Sequence, residues 1–137
     1  MKCYAVIDTN VLVSALLSSH DDAATVQVVG RMFSGEITPL YSDEILEEYI
    51  NVLHRKKFRF SEETINTLIL AIRQCGILIE PTSSGVVLPD MKDLPFYEVV
   101  LEKQDDNAYL VTGNIKHFPK EPFIVTANQL LEILQNS

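Results

Sequence analysis

The chain of 137 residues is long enough for one domain with a hydrophobic core, which we place at residues 1–137. Apolar residues make up 47% of the sequence, which excludes an intrinsically disordered chain. Acidic residues outnumber basic ones 19 to 11, for a net charge of −8, so a protein that coats nucleic acid through general positive charge is excluded. A nuclease whose acids are offset by bound metal is not excluded.

The two cysteines, Cys3 and Cys75, have no CxxC spacing, and we expect both to be buried reduced thiols, as in a cytoplasmic protein. The apolar run after Lys2 is interrupted by Asp8 within a few residues, unlike the core of a signal peptide. No uninterrupted apolar stretch approaches the roughly 20 residues that span a membrane, so we expect no membrane partner.

The first predicted strand ends in a carboxylate. Residues 3–7 are typical of a strand buried on both faces, and Asp8 follows them, ahead of a short helix from Thr9 to about Leu17. Ligands of open α/β sheets bind at the carboxyl ends of strands, where Asp8 is expected. Asp is also a favoured helix N-cap, and for a single such Asp capping is the commoner explanation. A metal-binding role therefore depends on other carboxylates reaching the same edge.

The next segment predicts a helix and a strand. Asp21 or Asp22 is expected to open a second helix that ends near Phe33, with the acids at its positive end. A short second strand follows at residues 37–41, weakened by Pro39.

Ser42 is a natural N-cap for a third helix over residues 43–56. Two acids, Glu47 and Glu48, flank its apolar stripe, and Val52 widens the stripe on the Glu48 side. Glu48 is therefore expected nearer the buried face than Glu47, although a solvated position is the usual one for a helix Glu. The stripe consists of Ile45, Leu46, Tyr49, Ile50 and Leu53.

Residues 54–59 form the one basic cluster, which holds four of the eleven Lys and Arg residues. Two interpretations remain open. The cations complement the C-terminus of the third helix, or they contact phosphates beside a functional site.

The second half of the chain supplies a third candidate acid. After a fourth helix over residues 61–74 and a strand over 77–79, Pro95 fits the first turn of a fifth helix. Asp93 is then the expected N-cap. Capping would explain one Asp here, but it would not explain Asp90 as well.

The remaining chain predicts a strand over residues 107–112, a turn at 113–114, a last strand over 123–125 and a final helix over 127–134. The order of strands and helices indicates an α/β fold with a parallel sheet.

Three acids thus occupy equivalent places, since Asp8 ends a strand, Glu48 lies on the helix after a strand, and Asp93 starts a helix with Asp90 beside it. In a parallel sheet such positions can face one crevice. Crowded carboxylates repel, and a hard divalent cation, Mg²⁺ or Mn²⁺, relieves that repulsion. Zinc is disfavoured because the histidines are scattered and the cysteines lack a ligand spacing.

Taken together, four features of the chain resemble the PIN-domain family. They are residues 8–10 after a hydrophobic strand, Ser42 with Glu48 on the next helix, Asp93 at a helix start, and residues 111–114. The resemblance covers essentially the whole chain and is strongest to the small stand-alone bacterial members that are toxins of toxin–antitoxin pairs. It implies a three-layer α/β domain whose central parallel sheet has four to five strands in the order 3-2-1-4-5, flanked by helices.

The resemblance further implies an endoribonuclease that uses Mg²⁺ or Mn²⁺ to hydrolyse RNA phosphodiester bonds, with Asp8, Glu48 and Asp93 as catalytic and metal-binding acids. Asn114 falls where many members have a fourth acid, so a second metal is in doubt unless Asp90 compensates. The polar positions implied beside the acids are Thr9, Asn10, Ser42 and Thr112.

Two alternatives remain. A haloacid-dehalogenase-like phosphohydrolase needs a second acid two residues after Asp8, where Asn10 stands, and paired acids that follow the hydroxyl, whereas Asp105 and Asp106 precede Thr112. A catalytically silent PIN-like binding module is compatible with the missing fourth acid and the acidic charge. The expected partners are RNA, an antitoxin that inserts a basic residue among the acids, and a second copy of the chain.

Overall fold

The computed structural model describes residues 3–136, which form five strands and six helices. The strands are β1 (Cys3–Ile7), β2 (Ile37–Tyr41), β3 (Ile77–Leu78), β4 (Tyr109–Val111) and β5 (Ile124–Val125). The helices are α1 (Thr9–Leu17), α2 (Ala24–Phe33), α3 (Asp43–Leu53), α4 (Glu62–Cys75), α5 (Leu94–Glu102) and α6 (Ala127–Gln135). Neighbouring strands are parallel, in the order β3-β2-β1-β4-β5. The predicted α/β fold and strand order are confirmed.

The strand order reverses at β1, because the chain places β2 and β3 on one side of it and β4 and β5 on the other. Pairing of Ile7 with Val111 sets the register between β1 and β4. The amide of Asp8 extends this pairing by donating to the Val111 carbonyl at 2.9 Å. The crevice at the carboxyl ends of β1 and β4 is therefore the place where folds of this type bind ligands.

The core fixes the helices that border this crevice. Helix α5 packs against β1, β2 and β4, whereas α2 and α4 pack against β2. Tyr49 of α3 and Phe96 of α5 are almost fully buried, and their ring centroids lie 6.2 Å apart. Helices α3 and α5 are thus held to each other through aromatic packing, which contributes stability beyond burial alone.

Pro39 lies inside β2 although this strand has neighbours on both sides. The Tyr41 carbonyl faces β3, since it accepts a hydrogen bond from the Ile79 amide at 2.7 Å. Alternation along the strand puts the backbone of Pro39 on that same side. Because β3 pairs with β2 only from Leu40 onward, the N–H that proline lacks would have had no partner there.

The expected start of the second helix is wrong. Helix α2 begins at Ala24 rather than at Asp21 or Asp22, because the Ala23 amide donates to the His20 carbonyl at 3.2 Å and closes a separate turn. The two acids therefore lie outside the helix.

The expected end of the third helix is also wrong, since α3 ends at Leu53. The Arg55 amide donates to the Val52 carbonyl at 3.1 Å, a bond that tightens the last turn. A 3-10 turn at Lys56–Phe58 follows, and Arg59 adopts a positive φ of 57°. The basic cluster therefore lies on a tight loop after the helix.

Cys3 is buried as expected, and burial raises the pKa of its thiol to about 11. Cys75 is exposed, so the expectation of two buried thiols is wrong for this residue. The buried face of α4 ends at Ile72, and Cys75 occupies the last helical position beyond it. Within residues 3–136, no helix has the length and apolar character needed to cross a membrane.

Candidate active site

Asp8 follows β1 and is only 5% exposed. It stands at the N-cap position of α1, yet its side chain accepts no capping hydrogen bond. Its Oδ2 accepts instead from Oγ1 of Thr112, at the end of β4, at 2.7 Å. Burial raises the pKa of the Asp8 carboxyl, the Thr112 hydrogen bond opposes that rise, and the charge of Asp93 adds to it. Helix capping therefore does not account for Asp8.

Glu48 reaches the same crevice from α3. The Thr9 hydroxyl donates to Oε2 of Glu48, and the hydroxyl of the neighbouring Tyr49 donates to the Ile7 carbonyl. Two adjacent residues thus fix α3 to the junction of β1 and α1. Burial raises the pKa of Glu48, the Thr9 hydrogen bond lowers it, and the charge of Asp8 raises it.

Asp93 stands at the N-cap position of α5 but, like Asp8, makes no side-chain capping bond. Its Oδ2 is buried and has no hydrogen-bond partner within the described chain. His117 Nδ1 lies 3.3 Å from this oxygen, an ion-pair distance without hydrogen-bond alignment. Burial is the main cause that raises the pKa of Asp93, followed by the charge of Asp90.

The three carboxylates lie close enough to perturb one another. The charge of Asp93 raises the pKa of Asp8, that of Asp8 raises the pKa of Glu48, and that of Glu48 raises the pKa of Asp93. Arg55 and Lys92 act in the opposite direction on Glu48. The fold therefore gathers acids from three separate parts of the chain, and each favours its protonated form more than a free carboxyl does.

A divalent cation fits this arrangement as a hydrated ion rather than as a caged one. The buried Oδ2 of Asp93 makes no aligned hydrogen bond within residues 3–136, and His117 lies at ion-pair distance from it, so this acceptor still has room for a further partner. Among residues 3–136, no group of three or more His, Cys, Asp or Glu side chains is arranged so that it could hold a metal ion by itself. Mg²⁺ keeps several of its waters and binds through one or two carboxylates, so a closed cage is not required.

The polar positions around the acids divide into two groups. Thr9 and Thr112 contact the carboxylates directly. Ser42 is buried, but its hydroxyl accepts from the Ile45 amide at 3.2 Å and so serves as the cap of α3. In the described part of the chain, the side chains of Asn10 and Asn114 are exposed and make no hydrogen bond to the acids.

Asp90 lies beside Asp93 but has a structural task. Its Oδ1 accepts from the Lys92 amide at 3.0 Å and caps the 3-10 turn Met91–Asp93. Its carboxylate is exposed, and it acts on the crevice through its charge on Asp93.

His117 is the residue near the acids that the sequence did not single out. It lies on a 3-10 turn, Ile115–His117, that follows β4 and returns along the same edge of the sheet. It contacts Asp93 and lowers the pKa of Asp8. Its position five residues after Thr112 was the available signal, because a turn that short stays near the strand end.

Comparison with family models matches residues 4–116 to the PIN domain. The chain belongs to the PIN-domain family. PIN domains are generally nucleases and commonly use divalent metals, which agrees with the crowded acids at the strand ends. Comparison with curated proteins gives no significant match. Membership of the PIN-domain family removes the haloacid-dehalogenase-like alternative.

Proposed function

We propose that this PIN domain is a metal-dependent endoribonuclease that hydrolyses RNA phosphodiester bonds. The observation that carries the proposal is the convergence of three carboxylates with raised pKa values, among which the buried Oδ2 of Asp93 has only His117 at ion-pair distance and no aligned hydrogen bond in the described chain. Such a cluster is unfavourable in the folded protein unless a cation or protons neutralise it. We place Mg²⁺ or Mn²⁺ there, with Asp8, Glu48 and Asp93 as the residues that would hold it.

The residues around the acids have two roles, which are to orient the carboxylates and to transfer a proton. Thr112 fixes Oδ2 of Asp8 by a hydrogen bond. Thr9 fixes Oε2 of Glu48, whose raised pKa suits a group that accepts the proton of an attacking water. When bound, the cation would polarise the scissile phosphate and make a water more acidic.

Asn114 supports a site for one cation. A neutral amide at this position adds no charge to the cluster, and its side chain is exposed. Asp90 would have to leave its capping bond to Lys92 to serve as a ligand. We therefore propose that Asp90 acts on the site through its negative charge and does not bind the cation.

The test is cleavage of single-stranded RNA with and without Mg²⁺ for Asp8→Asn and Asp93→Asn, beside Asp105→Asn. Asp105 is an exposed acid on the 3-10 turn Gln104–Asp106 and controls for loss of one negative charge. We expect each site variant to lose about 100-fold or more in rate and the control to retain activity. Undiminished cleavage by both site variants would rule out the proposed acids.

Binding of Mn²⁺ separates the nuclease from a silent PIN-like binding module. The silent module is favoured by the absence, within residues 3–136, of a group of side chains that could hold a metal ion by itself. Calorimetry on the wild type should show one binding event that Asp93→Asn removes. No heat of binding at millimolar Mn²⁺ would favour the silent module.

We further propose that the protein is the toxin of a toxin–antitoxin pair in the cytoplasm. An antitoxin would inhibit it by placing an Arg or Lys among the three acids, where charge-assisted hydrogen bonds are strong. Co-expression with the product of the neighbouring gene, followed by purification, tests this pairing and also reports whether the chain forms a homodimer. Failure to co-purify would count against the pairing.

A further inference from the structure

Five cations lie together on the surface of this acidic protein, and we name them the cation track. All five are exposed, and within residues 3–136 none of them forms an ion pair. By contrast, Arg31 pairs with Glu36. The track consists of Arg55, Lys56, Lys57, Arg59 and Lys92. Unpaired cations in a chain of net charge −8 are available to an anionic partner.

One end of the track borders the acid cluster. Arg55 and Lys92 line a groove of about 350 Å³ together with Glu48, and both lower the pKa of that carboxyl. Glu44 and Glu47 line the same groove from α3. A bound anion would therefore be drawn to the Arg55–Lys92 side of the groove, next to the site proposed for cleavage.

The other end of the track is a rigid loop. The rings of Phe58 and Phe60 stack with centroids 5.6 Å apart, and both pack against the hydrophobic core. Lys57 Nζ lies 5.1 Å from the centroid of Phe58, a cation–π distance. Arg59 has a φ of 57°, a conformation that non-glycine residues adopt mainly where the surroundings hold them in it. The loop thus presents its cations from a fixed position.

We propose that the cation track binds the phosphate backbone of single-stranded RNA next to the scissile bond. The charge is positive along the track, it is continuous with the acid cluster through the groove, and aromatic rings lie beside it, as in single-strand binding surfaces. The choice of RNA rests on the proposed function, whereas the binding itself does not require cleavage. The track would determine how the strand enters the crevice.

The experiment measures binding without cleavage. A fluorescein-labelled oligouridylate of about 15 nucleotides is titrated in EDTA at several salt concentrations, and anisotropy is recorded. The test variant is Arg55→Gln/Lys92→Gln. The control is Arg73→Gln/Lys120→Gln, which removes the same charge from two exposed residues that lie outside the cation track and do not line its groove.

We expect the test variant to bind about 10-fold more weakly and its log–log salt slope to fall by about 1.4, which is about 0.7 for each lost phosphate contact. The control should stay within about twofold of the wild type. Lys57→Gln/Arg59→Gln should also weaken binding, because it removes the far end of the track. Circular dichroism checks that every variant is folded.

Equal affinities of the test and control variants, or no binding of RNA by the wild type, would overturn the proposal. Competition with poly-glutamate tests whether the track binds an acidic polypeptide as well as it binds RNA. If poly-glutamate displaces RNA as well as unlabelled RNA does, the track is a general anion surface and the RNA assignment fails. If the track variants lose RNA binding while Asp8→Asn and Asp93→Asn cleave normally, the track stands and the proposed active site falls.

Discussion

Thr112 donates a hydrogen bond to Asp8 across the junction of β4 and β1, with Oγ1 and Oδ2 2.7 Å apart. Both side chains are buried, so the bond is shielded from water. It orients a carboxylate that makes no side-chain capping bond to α1. Thr112, near the other end of the chain, therefore sets the orientation of the Asp8 carboxylate.

Loss of this hydroxyl should damage both activity and stability. Thr112→Val leaves Oδ2 of Asp8 without its donor, which we expect to destabilise the fold by about 1–3 kcal/mol in urea denaturation. The pKa of Asp8 should rise further in this variant, because the hydrogen bond from Thr112 lowers it in the wild type. RNA cleavage should fall by about 10-fold or more, as for other residues that orient a metal ligand.

Thr112→Ser is the matched control, since it keeps the hydroxyl and loses only a methyl group. Its cleavage rate should stay within a few-fold of the wild type. A Thr112→Val protein as active as the serine variant would show that orientation of Asp8 does not depend on this bond.

Asp8→Asn should stabilise the metal-free protein at neutral pH. Burial raises the pKa of Asp8 in the folded state. At pH values above about 3.9, the pKa of an Asp in the unfolded chain, the folded protein therefore binds more protons than the unfolded one. Stability of the wild type is therefore lost as pH rises from that value through the raised pKa. We expect Asp8→Asn in EDTA to melt a few degrees higher at pH 7, on the order of 2–5 °C.

Melting curves at pH 4 and pH 7 check the sign of this effect. The gain from Asp8→Asn should shrink at the lower pH, where the wild-type carboxyl is protonated. Asp105→Asn should change the melting temperature little at either pH. A wild type more stable than Asp8→Asn at pH 7 would contradict the assigned pKa direction.

Affinity for Mn²⁺ should weaken as pH falls. The carboxyls of Asp8, Glu48 and Asp93 have raised pKa values, so protons compete with the cation for the same oxygens. Calorimetry over a series of pH values, from about 4, near the usual range of a carboxyl, up to about 8, measures this directly. No fall in affinity toward the acid end of the series would mean that these three groups do not form the binding site.

Gly76→Ala should be strongly destabilising. An added Cβ would lie 2.5 Å from the Ile72 carbonyl oxygen and 2.6 Å from that of Pro39, and both are backbone atoms. We expect a loss of about 1–3 kcal/mol in the free energy of unfolding, because α4 and β2 must move apart.

Gly30→Ala provides the contrast in the same measurement. Gly30 lies inside α2, and an added Cβ there meets nothing within 4 Å. This variant should gain about 0.5–1 kcal/mol through helix propensity. Similar effects at both positions would show that close approach at Gly76 is not what requires glycine.

Much of the fold could be predicted because periodicity and caps are local signals. The stripe of α3 is buried at Ile45, Tyr49 and Leu53, although its Ile50 is exposed. Glu48 is more buried than Glu47, as Val52 indicated. The start of α2 and the end of α3 could not be predicted in this way. They depend on turns at residues 20–23 and 53–59 that compete with the helix for the same backbone groups.

The site was harder to predict, because capping and ligand positions look alike in sequence. Asp8 and Asp93 both stand at N-cap positions, and only three-dimensional geometry shows that neither one caps its helix. Asp90, which resembled a spare ligand, is the acid that caps. The position of His117 five residues after Thr112 indicates that it lies near the strand end, but its contact with Asp93 depends on how the chain turns after β4.

The exposure of Cys75 gives the protein a natural attachment point for a reporter. The chain has two cysteines, and the other one, Cys3, is buried with a thiol pKa of about 11. A maleimide dye would therefore react selectively at the end of α4, which precedes β3 and so lies at the edge of the sheet away from the acids. Nucleic-acid capture and release could then be followed by fluorescence from the unaltered chain, without an engineered label near the crevice.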